Sequence, residues 1–152
     1  MQQLKILNTK EVKEITGLLK EEFGFEEKLN YVFLLNNRDR IYIINKDMTR
    51  INLENLRIDS MGLYFGELKN KTLRLSIEGS QIIGRGAKKN LIELDEKEMH
   101  EWLKGENLHK KMEKSAFVIL KHKDDILGCG RYKEGKIFNY VPKERRLRVV
   151  SN

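Results

Sequence analysis

The apolar residues of this chain come in short runs, such as Tyr31 to Leu35, Ile41 to Ile44, Leu91 to Leu94 and Phe117 to Leu120, each bounded by polar residues or glycine. Runs of this length are strand-sized, and none approaches the ~18 apolar residues that a membrane-crossing helix needs. Several short strands broken by turn residues restrict the chain to sheet-rich α+β architectures. At 152 residues, one ordinary domain or two small ones can bury a core.

The start, Met1 to Lys10, has no cationic segment followed by an apolar stretch, so neither secretion nor membrane insertion is expected. Cys129 is the single cysteine, which excludes an internal disulfide and fits a reducing cytoplasm. A zinc site would have to draw on His100, His109 and His122, whose spacing is not that of metal ligands. No metal and no cofactor is expected.

Residues 8–23 read as an amphipathic helix. Asn8 and Glu11 have capping-box spacing, Val12, Ile15, Leu19 and Phe23 share one face, and Gly24 stops it. The runs at 31–35 and 41–44 flank Asn36-Asn37-Arg38-Asp39 and predict a hairpin. A helical turn over Asn52 to Leu56 and a strand over Gly62 to Leu68 follow, closed by a Lys69-Asn70-Lys71 turn, where the domain boundary falls: residues 1–72 form a small α+β module and 73–152 a second domain.

The second domain opens on Leu73, Leu75 and Ile77 alternating with Arg74, Ser76 and Glu78, a half-buried strand that breaks at Gly79. Ser80 is placed as the cap of a short helix through Ile83. A basic glycine loop, Gly84-Arg85-Gly86-Ala87-Lys88-Lys89, leads to a strand at 91–94 and a helix from Asp95 with Met99, Trp102 and Leu103 inward. Strands at 117–120, 126–132, 136–141 and 146–150 complete it. Gly128 and Gly130 within one strand suggest a curved sheet closing into a small barrel.

At this point the second half resembles a PUA domain, an RNA-binding fold appended to pseudouridine synthases, archaeosine transglycosylases and Sun-family RNA cytosine methyltransferases. The residues that carry the resemblance are the strand ending in Gly79, the loop Gly84 to Lys89, Asp125-Ile-Leu-Gly-Cys-Gly130, and Asn139-Tyr-Val-Pro-Lys-Glu-Arg-Arg-Leu-Arg148. The two-module layout is similar to Nip-type ribosome-biogenesis factors. The resemblance implies a C-terminal PUA-type pseudo-β-barrel with flanking helices. It also implies RNA, ribosomal or transfer, as the partner, with an RNA-modification enzyme or ribosome-assembly protein as a further contact. Catalysis is not implied, because no glycine-rich strand-to-helix turn for S-adenosylmethionine is present and Cys129 lacks a Pro-Cys context.

Charge agrees with that placement. The net charge is about +1 up to Leu73 and about +6 from Arg74 onward, so the second half carries the field that attracts a polyanion. Gly84, Arg85, Gly86, Lys88 and Lys89 could offer backbone N–H groups and cations to a phosphate; composition alone leaves a plain surface turn as the other reading. Gly79 and Gly84 have the glycine spacing of a nucleotide-binding loop, but Arg85-Gly86 stands where Lys-Ser/Thr is required.

The stretch 131–148 holds Arg131, Lys143, Arg145, Arg146 and Arg148 among its seven cations, interleaved with Tyr132, Phe138 and Tyr140. Cations with aromatics suit single-stranded RNA. Phe138 and Tyr140 share one strand face and Ile137 and Val141 the other, and alternation alone does not say which is buried. In the last strand Leu147 and Val149 point one way, so Arg146 and Arg148 are expected to face solvent.

Overall fold

The computed structural model describes residues 4–46 and 62–147. Among them three α-helices and ten strands form two five-stranded sheets.

Helix α1 (Thr9–Phe23) forms where the spacing predicts it. The Asn8 side chain accepts the Glu11 N–H at 2.9 Å, and the Glu11 carboxylate accepts the Asn8 N–H at 3.1 Å. This capping box satisfies two otherwise orphaned donors. Gly24, at φ 62°, closes the helix by donating its N–H to the Lys20 carbonyl, a backbone state that glycine adopts without strain. Ile15, Leu19 and Phe23 are fully buried, each contributing on the order of 1.5–3 kcal/mol.

The first sheet is an antiparallel meander in chain order: β1 (Leu4–Ile6), β2 (Tyr31–Asn36), β3 (Arg40–Asn45), β4 (Leu63–Lys69) and β5 (Thr72–Leu75). The β2–β3 turn is fixed by Asn36, whose buried side-chain oxygen accepts the N–H groups of Arg38 and Arg40, both at 2.9 Å. The β4–β5 turn places Asn70 and Lys71 at φ 52° and 60°, the paired positive φ of a two-residue hairpin loop. The helical turn expected over Asn52 to Leu56 lies outside the described residues.

The strand expected to open the second domain instead completes the first sheet, with Leu73 opposite Leu68 and Leu75 opposite Gly66. A cut between residues 72 and 73 would sever that hairpin. The cap of the following helix, α2 (Ile77–Gly84), is Ser76 rather than Ser80: the Ser76 hydroxyl oxygen accepts the Gly79 N–H at 2.9 Å, while Ser80 is buried and donates to the Ser76 carbonyl. Gly79 does not end the strand. It lies inside α2, where a Cβ would stand 2.1 Å from the Phe65 carbonyl oxygen, so glycine lets the helix press onto β4.

The second sheet comprises β6 (Leu91–Glu93), β7 (Leu108–His109), β8 (Ala116–His122), β9 (Asp125–Lys133) and β10 (Lys136–Asn139), in the order β6-β8-β9-β10-β7, with only β6–β8 parallel. It curls into a half-barrel. The register shifts opposite Leu120 and Lys121, and Gly128 takes φ 144° there, as the bend-forming reading of these glycines expects. Helix α3 (Glu96–Leu103), capped by an Asp95–Glu98 box, lays Trp102 fully buried against β9. A Cβ on Gly130 would meet the indole at 2.6 Å.

The expected strand over 146–150 is not found in the described part of that segment. After β10 the chain makes a 3-10 turn at Lys143–Arg145, and Leu147 is 48% exposed with its N–H donated to the Leu103 carbonyl. The face of β10 is resolved: Ile137 and Val141 are buried, and Phe138 and Tyr140 face outward.

The two halves share a core. Ile15, Leu19 and Phe23 of α1 and Phe65 and Leu75 of the first sheet pack in one cluster with Ile83, Phe117, Ile119 and Cys129. A second cluster around Trp102, Leu120, Tyr132 and Ile137 fills the half-barrel.

Candidate nucleic-acid interface

The glycine loop that the sequence singles out is a joint between the halves. The Lys88 and Lys89 N–H groups donate to the Phe23 carbonyl at 2.8 and 3.2 Å, and the Gly86 N–H donates to Ile83. Gly84 is buried, and a Cβ there would stand 2.7 Å from Ile126; a Cβ on Gly86 would meet the Glu27 carboxylate at 2.3 Å. The glycines therefore permit close packing, and the backbone donators expected for a phosphate are already taken. Asn90, at φ 57°, ties the same joint through its side-chain amide, which donates to the Glu22 carbonyl at 2.6 Å.

The side chains of the expected cations go to separate places. Lys88 is exposed and lies 3.6 Å from Glu26. Lys89 borders a groove with Glu21, Glu22 and Lys114. Arg85 and Arg145 meet in another groove, which also holds Asp124 and Asp125. Arg131 sits 5.3 Å over the Phe117 ring. Lys143 is exposed on the 3-10 turn, and Arg148 lies outside the described residues.

Arg146 corrects the expectation of a solvent-facing cation. Its Nε donates to the Val141 carbonyl at 2.9 Å, and the guanidinium lies where a Cβ on Gly105 would stand, 2.4 Å from that Nε. The strand alternation used to orient it fails because Arg146 and Leu147 are not in a strand. Arg145 is ion-paired with Glu78 of α2. Tyr132 also leaves the list of stacking aromatics: it is buried, and its hydroxyl bonds the Met112 backbone.

What the fold assembles instead is a cleft of about 300 Å³ between the two sheets. Arg40, Tyr64 and Arg74 enter from the first sheet, Gly128 from the second, Tyr140 from the chain just after β10, and Ser76 and Glu78 from the start of α2. Arg74 is the hub. Its guanidinium carbon lies 4.4 Å from the centre of the Tyr140 ring, and its Nη2 is 3.1 Å from Glu67. Arg40 lies over Tyr64 at 5.7 Å, and Tyr64 packs against Tyr42 at the same centroid distance. Burial pushes the Tyr64 hydroxyl above its ordinary value, against the pull of the Arg74 charge and hydrogen bond.

Two of the residues lining the cleft, Arg40 and Tyr64, come from the module to which the charge count assigned little. The register explains the grouping: Glu67 faces Arg40 on one side and Arg74 on the other, and Tyr42 faces Tyr64, so all five project from one sheet face. Alternation at Leu73-Arg74-Leu75 was the available signal. The floor of the cleft holds Cys129, whose thiol burial pushes up to about 12, which makes it an unreactive, small apolar side chain. Among the described residues no cluster of three or more His, Cys, Asp or Glu could hold a metal ion, and no helix is long and apolar enough to cross a membrane.

Comparison with known families accounts for both halves. Residues 4–77 match the family described as NIP7/UPF0113, pre-PUA domain, and residues 89–147 match the Methyltransferase RsmF PUA domain. The chain is thus an α+β protein carrying a pre-PUA domain followed by a PUA domain. Over 92 residues it is 24% identical to proteins named ribosomal RNA small subunit methyltransferase F from two strains of Vibrio vulnificus, YJ016 and CMCP6. That stretch covers 60% of this chain but only 20% of each relative. The two families matched are the PUA and pre-PUA types, and no catalytic methyltransferase domain is among the matches.

Proposed function

We propose that this protein is a non-catalytic RNA-binding accessory factor in the cytoplasm, acting in ribosome biogenesis or in the modification of rRNA or tRNA. The observation that carries this reading is the succession of a pre-PUA and a PUA match along one chain. The cleft supports it, since arginines beside outward-facing tyrosines suit a polyanion with aromatic bases. We place the division between the domains after Leu75, because β5 pairs with β4. Arg145 at the cleft, Lys143 on the 3-10 turn and Arg85 in the neighbouring groove remain candidate phosphate contacts, as do Lys88, Lys89 and Arg131 on other faces and Arg148, which lies outside the described residues.

The test is direct binding of labelled rRNA and tRNA by the full chain across a salt series. The full chain is needed because the shared core would be exposed by division. With three to five phosphates neutralised, log K should fall against log salt with a slope of about −2 to −4 for single-stranded contacts. Incubation with labelled S-adenosylmethionine and the same RNA should leave the RNA unlabelled.

A second reading has its own support. Arg145, Arg146 and Lys88 are engaged within the protein, which favours a tethering subunit that holds a separate RNA-modification enzyme or ribosome-assembly protein and barely touches RNA. Absence of RNA binding by the full chain would select it.

A further inference from the structure

We infer that the cleft between the two halves receives one unstacked nucleotide of the bound RNA, with its base against Tyr140. This rests on the RNA-binding reading and assigns that reading a place. Its size comes first: about 300 Å³ lies at the lower end of small-ligand sites, room for one nucleotide and not for a helical stem. Tyr140 is 37% exposed although it lies beside a buried strand face. Arg74 covers the ring at 4.4 Å, and a base can stack on tyrosine and guanidinium planes alike.

Behind Gly128 lies a buried donor without a partner. Trp102 is fully buried, yet its indole Nε1 has no hydrogen-bond partner among the described residues. Such an orphan donor is costly in a low-dielectric interior. It lies beside Gly128, which lines the cleft: a Cβ there would stand 3.9 Å from Nε1 and 3.5 Å from Ile77. Gly128 is what separates the indole N–H from the cleft, and the N–H itself is closed to solvent. The phosphate has a cation at the rim. Arg40 has no ion-pair partner among the described residues, whereas Arg74 is paired to Glu67 and Arg145 to Glu78. Glu78 and Glu144 also line the cleft, so its charge is nearly balanced and discrimination falls on the stacked base rather than on the phosphate.

The experiment uses the full chain and a mixed-sequence single-stranded 12-mer RNA. Affinity and salt slope are measured for wild type, Tyr140→Leu, Tyr140→Phe and Arg40→Ala, with denaturation midpoints to confirm folding. Tyr140→Leu should weaken binding on the order of 5- to 150-fold with an unchanged salt slope. Tyr140→Phe, which keeps the ring, should bind within about twofold of wild type, and Arg40→Ala should reduce the slope by about one. Zero-length ultraviolet crosslinking should place a nucleotide adduct on the peptide holding Tyr140. Wild-type binding with no loss in folded Tyr140→Leu and no adduct there overturns the cleft assignment and leaves RNA binding standing. No binding by wild type overturns both, and selective capture of a protein partner through the same tyrosine would show that the cleft serves a peptide.

Discussion

The loop from Gly84 to Lys89 and the cleft beneath Tyr140 present similar chemistry, and the fold spends them differently. In the loop, the N–H groups of Gly86, Lys88 and Lys89 already have carbonyl partners, and Glu26 and Glu27 lie against it. In the cleft, Arg40 and the Tyr140 ring stay open to solvent, and behind Gly128 the Trp102 N–H has no partner among the described residues. A glycine-rich basic motif is thus no guide to a binding site until the partners of its donors are known. What distinguishes the two is whether desolvated hydrogen-bonding groups have been satisfied internally.

The strongest break of this comparison is at the joint. Asn90→Ala removes the amide bond to the Glu22 carbonyl and puts alanine at φ 57°, which should cost about 2–3 kcal/mol. Urea denaturation should show that loss while the folded variant keeps its RNA affinity. A stable variant with weakened RNA binding would return the loop to the interface.

The dryness of the cleft floor is tested by pH. The thiol of Cys129 is held up at about 12, whereas in the unfolded chain it ionises near its ordinary value of about 8.5. Because the folded value is the raised one, its stabilising contribution is complete below the ordinary value and is lost as pH climbs towards 12. Between pH 8 and pH 10 wild type should lose about 2 kcal/mol more than Cys129→Ala. Parallel losses would mean that water reaches the thiol.

Arg146→Ala comes next. The expectation from sequence was a solvent-facing cation whose loss spares the fold; with Nε on the Val141 carbonyl, the change should instead destabilise by about 1–2 kcal/mol. Chemical denaturation decides between them. The smallest effect is expected for the double change Lys88→Ala and Lys89→Ala. With Lys88 beside Glu26, the salt slope for RNA should move by less than about one unit. A change of two units would make the loop's lysines phosphate contacts after all.

Interactions within a few residues of each other were legible from sequence. The Asn8–Glu11 capping box, the Gly24 stop, the Asn36 turn and the bend at Gly128 form from neighbours along the chain, so a local pattern suffices to place them. Strand alternation showed that Leu73 and Leu75 face one way and Arg74 the other. It did not show which strand they pair with, because period-two alternation marks faces and is silent about partners. The same limit bears on the strand expected over 146–150: an apolar and basic alternation existed, but in its described part Leu147 bonds the Leu103 carbonyl and Arg146 the Val141 carbonyl.

By itself, then, the sequence determined the α+β class, the helix ends and turns, the uneven charge, and the resemblance to a PUA domain. The tertiary structure decided which cations are available. Glu26 reaches Lys88 and Glu78 reaches Arg145, contacts that depend on how the elements of the two halves dock, whereas Glu67 meets Arg74 across the β4–β5 hairpin. It also decided that Tyr64, Arg74 and Tyr140 share a cleft. The physical reason is that an ion pair or a stacked ring is set by distance in space, and for residues on different elements that distance is fixed only when the shared core closes.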